Sequence, residues 1–391
     1  MKLLAIGGCG AMGKAATRAL IEMPVFDEII IGDINLPAAQ NWAQKLCDKR
    51  VRAIRVDVTD MASLLSATKG VDIVANLTLY EFNIPIMHAC LENRCHYLDL
   101  GGLYHVTKKQ LALHEKFKAL DRLALLGMGA SPGMTNVAAA MGAQQLDHVT
   151  DTHIRTGTKG GGRGFGYSAK TVLDECTMNA FVFENGAMQE LPPLSGRERY
   201  VLPEPVGEVE GFYSIHSELA TLPFQYPGIQ NVSFRVAFSS RLVNMVETLI
   251  DLKLTSLEKF AYKTIDIAPR EFLDAHLMRL PKPEELSEFK AFRVEVGGMK
   301  DVERKTKNVK RKKKNVMRKT LVYEILVPSK EDWGIKAGAY WTGVPAAVAA
   351  ELIAEGKYLA AGALAPEAAF APELVFARLA DYDLKIALAQ K

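Results

Sequence analysis

The chain has 391 residues, 49% hydrophobic and 24% charged, with 48 Lys and Arg against 45 Asp and Glu for a net charge of +3. That length allows about two domains with sizeable cores, and the composition is that of a globular protein, not a disordered or fibrous one. No apolar run approaches the ~18 residues of a membrane span, and the five cysteines form no CxxC pair, which fits a reducing, cytoplasmic setting without disulfides or a metal site.

The first 33 residues are the most informative. Residues 2–7, apolar after Lys2, lead into Gly8-Cys9-Gly10-Ala11-Met12-Gly13, then a helical stretch, then Glu28-Ile29-Ile30-Ile31-Gly32-Asp33. A strand, a G-x-G-x-x-G turn, a helix and a second strand ending in an acid form a dinucleotide-binding unit. Gly8 is expected to make the tight turn, Gly10 to let a diphosphate approach, and Gly13 to let the helix sit close on the strand. The N–H groups opening the helix at Ala11 and Met12 point at the phosphates. Asp33 is placed to hold an adenosine ribose and to repel a 2′-phosphate, so NAD is expected, with NADP as the alternative. Cys9 is read as a packing residue, not a nucleophile.

Strands are predicted at 2–7, 28–32, 51–56, 71–76, 95–98 and 122–127, with helices at 11–23, 37–47, 60–69, 82–93 and 107–118. This alternation predicts an α/β Rossmann domain over 1–128, a doubly wound parallel sheet that binds ligands at the carboxyl ends of its strands. Those ends carry Asp57, then Asn76-Leu77-Thr78 with Tyr80, then Asp99 with Gly101, then Ser131-Pro132-Gly133. Asp57, Asn76, Leu77 and Thr78 are expected to line the cofactor. Ser131 is read as a helix N-cap with Pro132 in the first turn, a place where N–H groups hold a substrate carboxylate or simply cap a helix.

After residue 148 the pattern changes to strands at 149–157, 180–184, 208–214, 232–238, 246–254, 290–296 and 321–327, with helices at 169–178 and 270–280. Asn185-Gly186 is a hairpin turn signal. Residues 129–340 are therefore expected to form an α+β domain with a mixed or antiparallel sheet that binds substrate and offers a face for a homodimer. Helices at 344–355 and 373–380, within 341–391, are expected to return to the first domain. The glycine-rich run 160–166 is read as a flap over the cleft. Segment 300–319 holds eleven Lys and Arg against two acids, so the rest of the chain is net negative. It is read as a solvated hairpin tip. A nucleic-acid partner is not expected, because no aromatic residue in the run could stack bases.

The motif at 8–13, Tyr80-Glu81-Phe82-Asn83, His96-Tyr97-Leu98-Asp99-Leu100-Gly101-Gly102, Ser131-Pro132-Gly133-Met134 and Thr342-Gly343-Val344-Pro345 together resemble the saccharopine dehydrogenase family. Within it they are most similar to the NAD-dependent L-lysine 6-dehydrogenases. The resemblance implies oxidation at a carbon–nitrogen bond of an amino acid or polyamine, with lysine ε-deamination as the leading expectation. The alternatives are a saccharopine or carboxynorspermidine dehydrogenase using NADP(H), and a cofactor-bound protein without turnover or one that binds nucleic acid. Fungal-type saccharopine reductases carry Asp before the Pro-Gly pair; here that position is Ser131. Asp99 is the leading candidate to accept a proton from the amine, or else caps the glycine turn that follows it. Tyr80 borders the nicotinamide or packs between domains. Gly101, Ser131, Pro132, Gly133, His216 and Arg241 are the candidate substrate contacts.

Overall fold

The first half of the chain alternates as its apolar runs predict: β1 (Lys2–Ile6), α1 (Ala11–Leu20), β2 (Glu28–Asp33), α2 (Leu36–Leu46), β3 (Val51–Arg55), α3 (Met61–Thr68), β4 (Ile73–Asn76), α4 (Asn83–Asn93), β5 (His96–Asp99), α5 (Leu103–Leu111), α6 (His114–Ala119) and β6 (Leu123–Leu125). The structure, a computed structural model, describes residues 1–389 apart from 163, 164, 166, 281–285 and 304–313. The single helix expected over 107–118 is two helices, α5 and α6, broken around Ala112 and Leu113.

The second half begins with α7 (Met134–Ala143), β7 (His148–Gly160), α8 (Ala169–Thr177), β8 (Ala180–Glu184), β9 (Ala187–Leu191), β10 (Glu198–Leu202), β11 (Gly207–Tyr213), α9 (Leu222–Gln225) and β12 (Asn231–Ala237). It continues with α10 (Ser240–Asp251), β13 (Phe260–Tyr262), β14 (Ile265–Ile267), α11 (Pro269–Leu277), β15 (Glu288–Glu303) and β16 (Lys314–Pro328). The last elements are α12 (Ala337–Ala354), β17 (Gly362–Leu364), α13 (Pro366–Ala369), α14 (Pro372–Ala380) and β18 (Ala387–Leu388).

Among the described residues the strands form two large sheets and a separate hairpin. The first sheet is parallel with seven strands in the order β17-β6-β5-β4-β1-β2-β3. Its order reverses at β1, so the crevice for a ligand opens between the ends of β1 and β4. The second sheet has nine strands around β12-β7-β15-β16 and is mixed, since β12 and β7 run parallel and their other neighbours antiparallel. Strands β13 and β14 pair only with each other.

The tail does return to the first lobe. β17 adds the strand beyond β6, pairing Ala363 with Ala124. Helix α12 is apolar on nearly every side and buried along its length, as such a helix must be. It approaches α1 so closely that a Cβ on Gly343 would stand 2.4 Å from the Met12 carbonyl oxygen and 2.7 Å from the Ala15 Cβ. The small residues Ala15, Ala16 and Ala19 of α1 make that approach feasible.

One sequence expectation is corrected here. Residues 246–254, rich in β-branched side chains, are mostly helical: α10 buries Leu242, Val243 and Val246 at helical spacing, and the Ser239 hydroxyl caps it by accepting from the Leu242 N–H. In the glycine run, Gly161 is not free: its N–H donates to the Ser287 carbonyl (2.8 Å) and its own carbonyl accepts from Lys336 Nζ (3.1 Å). Residues 163, 164 and 166 of that run, and 304–313 of the basic segment, lie outside the described residues.

Candidate active site

The glycine turn forms a cradle that only glycine fits. Gly7, with φ +77°, is the left-handed residue of the turn, a role expected of Gly8. A Cβ on Gly13 would stand 2.2 Å from the Gly7 carbonyl oxygen, so α1 lies directly on the turn. A Cβ on Gly10 would meet only the Gly7 oxygen, at 3.1 Å, and its other side is open for a phosphate. Gly10 caps α1 without any side-chain bond, so the first N–H groups of the helix, from Ala11 and Met12 onward, have no intrahelical acceptor.

Asp33 stands beside this turn. Its Oδ1 accepts from the Asn35 N–H (2.9 Å) and its Oδ2 from the Cys9 thiol (3.0 Å). Burial and the neighbouring Asp33 carboxylate push the Cys9 thiol up to about 12, so it stays protonated and donates. Cys9 is thus more than packing: it pins the acid. Asp57, at the end of β3, is held below the usual carboxylate range by bonds from the Thr59 hydroxyl and N–H. Leu77 and Thr78 abut the cradle, where a Cβ on Gly7 would meet Thr78 Cγ2 at 2.9 Å and the Leu77 oxygen at 3.0 Å.

Asn76 and Asp99 do not open on the cleft. Asn76 is buried; its Oδ1 accepts from Thr78 N–H and hydroxyl, and its Nδ2 donates to Asn83 Oδ1 (2.8 Å) and Tyr97 Oη (3.2 Å). Asp99 is 1% exposed and accepts four bonds: from Tyr97 Oη (2.8 Å), Gln110 Nε2 (2.5 Å), Gly101 N–H (2.9 Å) and Gly127 N–H (2.7 Å). Burial pushes its carboxyl up, against these four donors. The expectation of a carboxylate facing the substrate amine is corrected: with every oxygen engaged, Asp99 ties the 99–102 turn to the 127 loop.

Ser131 and Pro132 are also placed differently from the expectation. They precede α7 rather than opening it, because Gly133, with φ +125°, turns the chain and α7 starts at Met134. The ring of Pro132 lies against Gly101 and Gly127, where a Cβ would stand 2.8 and 2.7 Å from its Cγ. Ser131 donates to Glu218 Oε1 (2.6 Å), as does Thr135 (2.8 Å), while the other oxygen of Glu218 bonds to His216 Nδ1. Two expected substrate residues, Ser131 and His216, are therefore joined through one that the sequence reading missed. Burial opposes charge on the imidazole, but Glu218, with Glu175 beyond it, outweighs burial and holds His216 above its ordinary value. The same pairing holds the buried Glu218 low. The imidazole also stacks on Phe234 at 3.8 Å.

More acids stand on α8 and β15. Asp174 accepts from Tyr80 Oη (2.7 Å) and pairs with the buried Arg270 (2.7 Å). Tyr80 therefore bridges the two lobes, and burial with the nearby Asp174 raises its phenol. Glu175 accepts from Tyr167 Oη (2.6 Å), and burial pushes its carboxyl up despite His216. Glu288 accepts the Gly338 N–H at the start of α12 (2.7 Å), and the Lys290 ammonium lies 5.3 Å from the Tyr167 ring. Trp341, fully buried beside Phe292, has an indole N–H without an acceptor among the described residues. None of these acids belongs to a sequence motif; only the fold brings them together.

Arg241 does not join them. It is exposed in the first turn of α10, without a bond to the cleft groups. Arg235 is occupied by Glu198 (3.1 Å) and the Tyr213 ring.

Fold and site together define a two-lobed, NAD(P)-dependent oxidoreductase with its cleft between a Rossmann lobe and a mixed-sheet lobe. Residues 3–125 match the family model described as saccharopine dehydrogenase NADP binding domain, and residues 129–384 match saccharopine dehydrogenase C-terminal domain. The chain belongs to the saccharopine dehydrogenase family. It is 26% identical over 379 residues to carboxyaminopropylagmatine dehydrogenase of Synechocystis sp., covering 93% of this chain and 91% of that protein. It is 25% identical over 387 residues to carboxynorspermidine synthase of Vibrio cholerae, with the same coverage. The fold is similar to that of saccharopine dehydrogenase (L-Glu forming) from Saccharomyces cerevisiae, with a TM-score of 0.71 and 15% identity over the full length of both chains.

Proposed function

We propose that this protein is an NAD-dependent dehydrogenase acting on the C–N bond that joins a polyamine to a carboxylated carbon chain. The observation that carries the reading is the acidity of the second lobe near the cleft. Asp174, Glu175, Glu218 and Glu288 are all buried; among the described residues the guanidinium of Arg270 and the imidazole of His216 are buried with them, and Lys170 and Lys290 reach the cluster half-buried. Buried carboxylates are costly unless paired, and the two lysines are only half-buried, so the cluster favours a ligand that brings positive charge into the buried part of the cleft. A polyamine does so at several nitrogens. The names of the two full-length relatives support this substrate class over lysine ε-deamination.

Gly8, Gly10, Ala11, Met12 and Gly13 would hold the cofactor diphosphate, and Asp33 its adenosine ribose. The bound nicotinamide supplies hydride exchange with the substrate carbon. The chain's own groups manage the proton. Glu175, raised by burial, is suited to give a proton to or take one from the amine nitrogen. His216, whose charged form Glu218 favours, balances part of the field of the acids around it. Asp99 and Asn76 act as positioning residues that hold the strand-end loops. Asp33 favours NAD over NADP. The protein is read as cytoplasmic and homodimeric.

The test is a panel of carboxynorspermidine, carboxyaminopropylagmatine, saccharopine and lysine, each with NAD and NADP, followed by absorbance of the reduced nicotinamide. Turnover of a carboxylated polyamine with kcat/KM at least tenfold above lysine is expected. Lysine turnover without polyamine turnover would overturn the reading.

A further inference from the structure

Residues 252–280, between α10 and β15, stand out among the described residues. Residues 257–266 are exposed without interruption, on both faces of the β13–β14 hairpin. An isolated two-stranded hairpin is marginal in water, and this one pairs with neither large sheet. It nevertheless carries large apolar side chains outward. Leu257, Phe260, Tyr262 and Ile265, with Phe272 on α11 and Met278 just after it, are each more than half exposed.

We infer that this segment, residues 252–280, is an arm that docks on a second copy of the same chain. Area supports that occupant. At about 200 Å² per large side chain, those six residues, three of them on one face of the hairpin, together expose roughly 700 Å² per copy. Monomeric proteins rarely leave apolar patches beyond a few hundred Å², and a stable interface takes about 800 Å² from each partner. Charge supports it too. The exposed charges of the arm are Lys253, Lys259, Lys263 and Arg279 against Glu258, Asp266 and Glu271. The two signs nearly balance, so an arm meets its own copy without net repulsion, as a two-fold interface requires. A membrane surface would call for a one-signed basic face instead.

The base of the arm is fixed to the cleft. Arg270, buried in α11, bonds Asp174 (2.7 Å) and the Lys170 carbonyl (3.1 Å) of α8, and Asp274 (2.8 Å) of its own helix. Asp174 in turn holds Tyr80 of the nucleotide lobe. Docking of the arm therefore braces the helix that supplies the cleft acids.

The test is the solution mass of the full chain, read by sedimentation velocity at 1 and 50 µM. A species of twice 42.9 kDa is expected for the wild type at 50 µM. A Leu257→Glu/Phe260→Glu/Ile265→Glu variant is expected to run as a folded monomer whose melting temperature no longer rises with concentration, since those side chains are exposed in the single chain. A wild-type monomer at 50 µM, with or without anionic vesicles, overturns the inference, and so does a variant that stays dimeric. If the variant does not fold, hydrogen exchange of wild-type residues 257–266 decides. Amide protection that rises at least tenfold between 1 and 50 µM supports the arm; equal exposure at both concentrations rejects it. Neither readout depends on catalytic turnover, so the result stands apart from the substrate assignment.

Discussion

Tyr80 of the nucleotide lobe donates its phenolic hydrogen to Asp174 of the second lobe across 2.7 Å, and so spans the cleft. Tyr80→Phe removes that bond and leaves Asp174 with Arg270 and, at 3.5 Å, Lys170. A hydrogen bond to a charged group contributes about 1.5–3 kcal/mol when well formed, and Tyr80 is only partly buried. A loss of about 1–2 kcal/mol in denaturant stability is expected, together with a several-fold fall in kcat/KM from looser lobe closure. Unchanged values in both measurements would remove Tyr80 from lobe coupling.

The His216–Glu218 pair predicts a particular pH profile. His216 is held above its ordinary 6.5, so its contribution is full below that pH and is lost as pH rises through the folded-state value. Glu218 is held below its ordinary 4.5, so its contribution is present above that pH and lost as pH falls through the folded-state value. Melting temperature measured from pH 4 to 9 should decline on the alkaline limb in the wild type. Glu218→Gln should flatten that limb and cost about 3–5 kcal/mol near pH 6, the usual penalty for breaking a buried pair. A variant that keeps the wild-type slope would assign the titration to other groups.

Asp33→Ser should relax cofactor choice. The substitution removes the charge that opposes a 2′-phosphate, and Arg55, paired with Asp33 in the β2–β3 register, stays nearby to receive one. The NAD:NADP ratio of dissociation constants, measured by quenching of protein fluorescence, should move at least tenfold toward NADP. An unmoved ratio would show that the ribose is held elsewhere.

Asp99→Asn should damage more than chemistry. An amide cannot accept from Tyr97, Gln110, Gly101 and Gly127 together, and its NH₂ would face donors. A loss of about 3 kcal/mol is expected from unsatisfied buried groups, with weaker NAD binding as the 99–102 and 127 loops loosen. Lost turnover with intact stability and NAD affinity would instead return Asp99 to a direct proton-transfer role.

The Rossmann lobe was legible because its signals are local. Apolar runs such as Ile29–Ile31 and the glycine spacing declare strand and turn without reference to the rest of the chain. The candidate site was legible only at its strand ends. Ser131 looked like an N-cap because Ser-Pro commonly opens a helix; the left-handed Gly133 delays α7 to Met134 and turns Ser131 toward Glu218. Glu218 itself sits in Ser217-Glu218-Leu219-Ala220, which has no pattern to mark it. Asp174, Glu175 and Glu288 read as ordinary charges until α8 and β15 are brought to the cleft. Residues 246–254 were misread because Val246, Thr248 and Ile250 favour strands singly, whereas burial at helical spacing decided the outcome.

β17 reaches the first sheet only after more than two hundred intervening residues have built a different lobe. During synthesis, β6 must wait for it with an unpaired edge, and α1 must wait for α12. A fragment ending at residue 128 would keep the glycine turn yet expose a raw sheet margin and the apolar flank of α1. The coenzyme lobe is therefore not a detachable cassette, and grafting it elsewhere would require carrying the tail along.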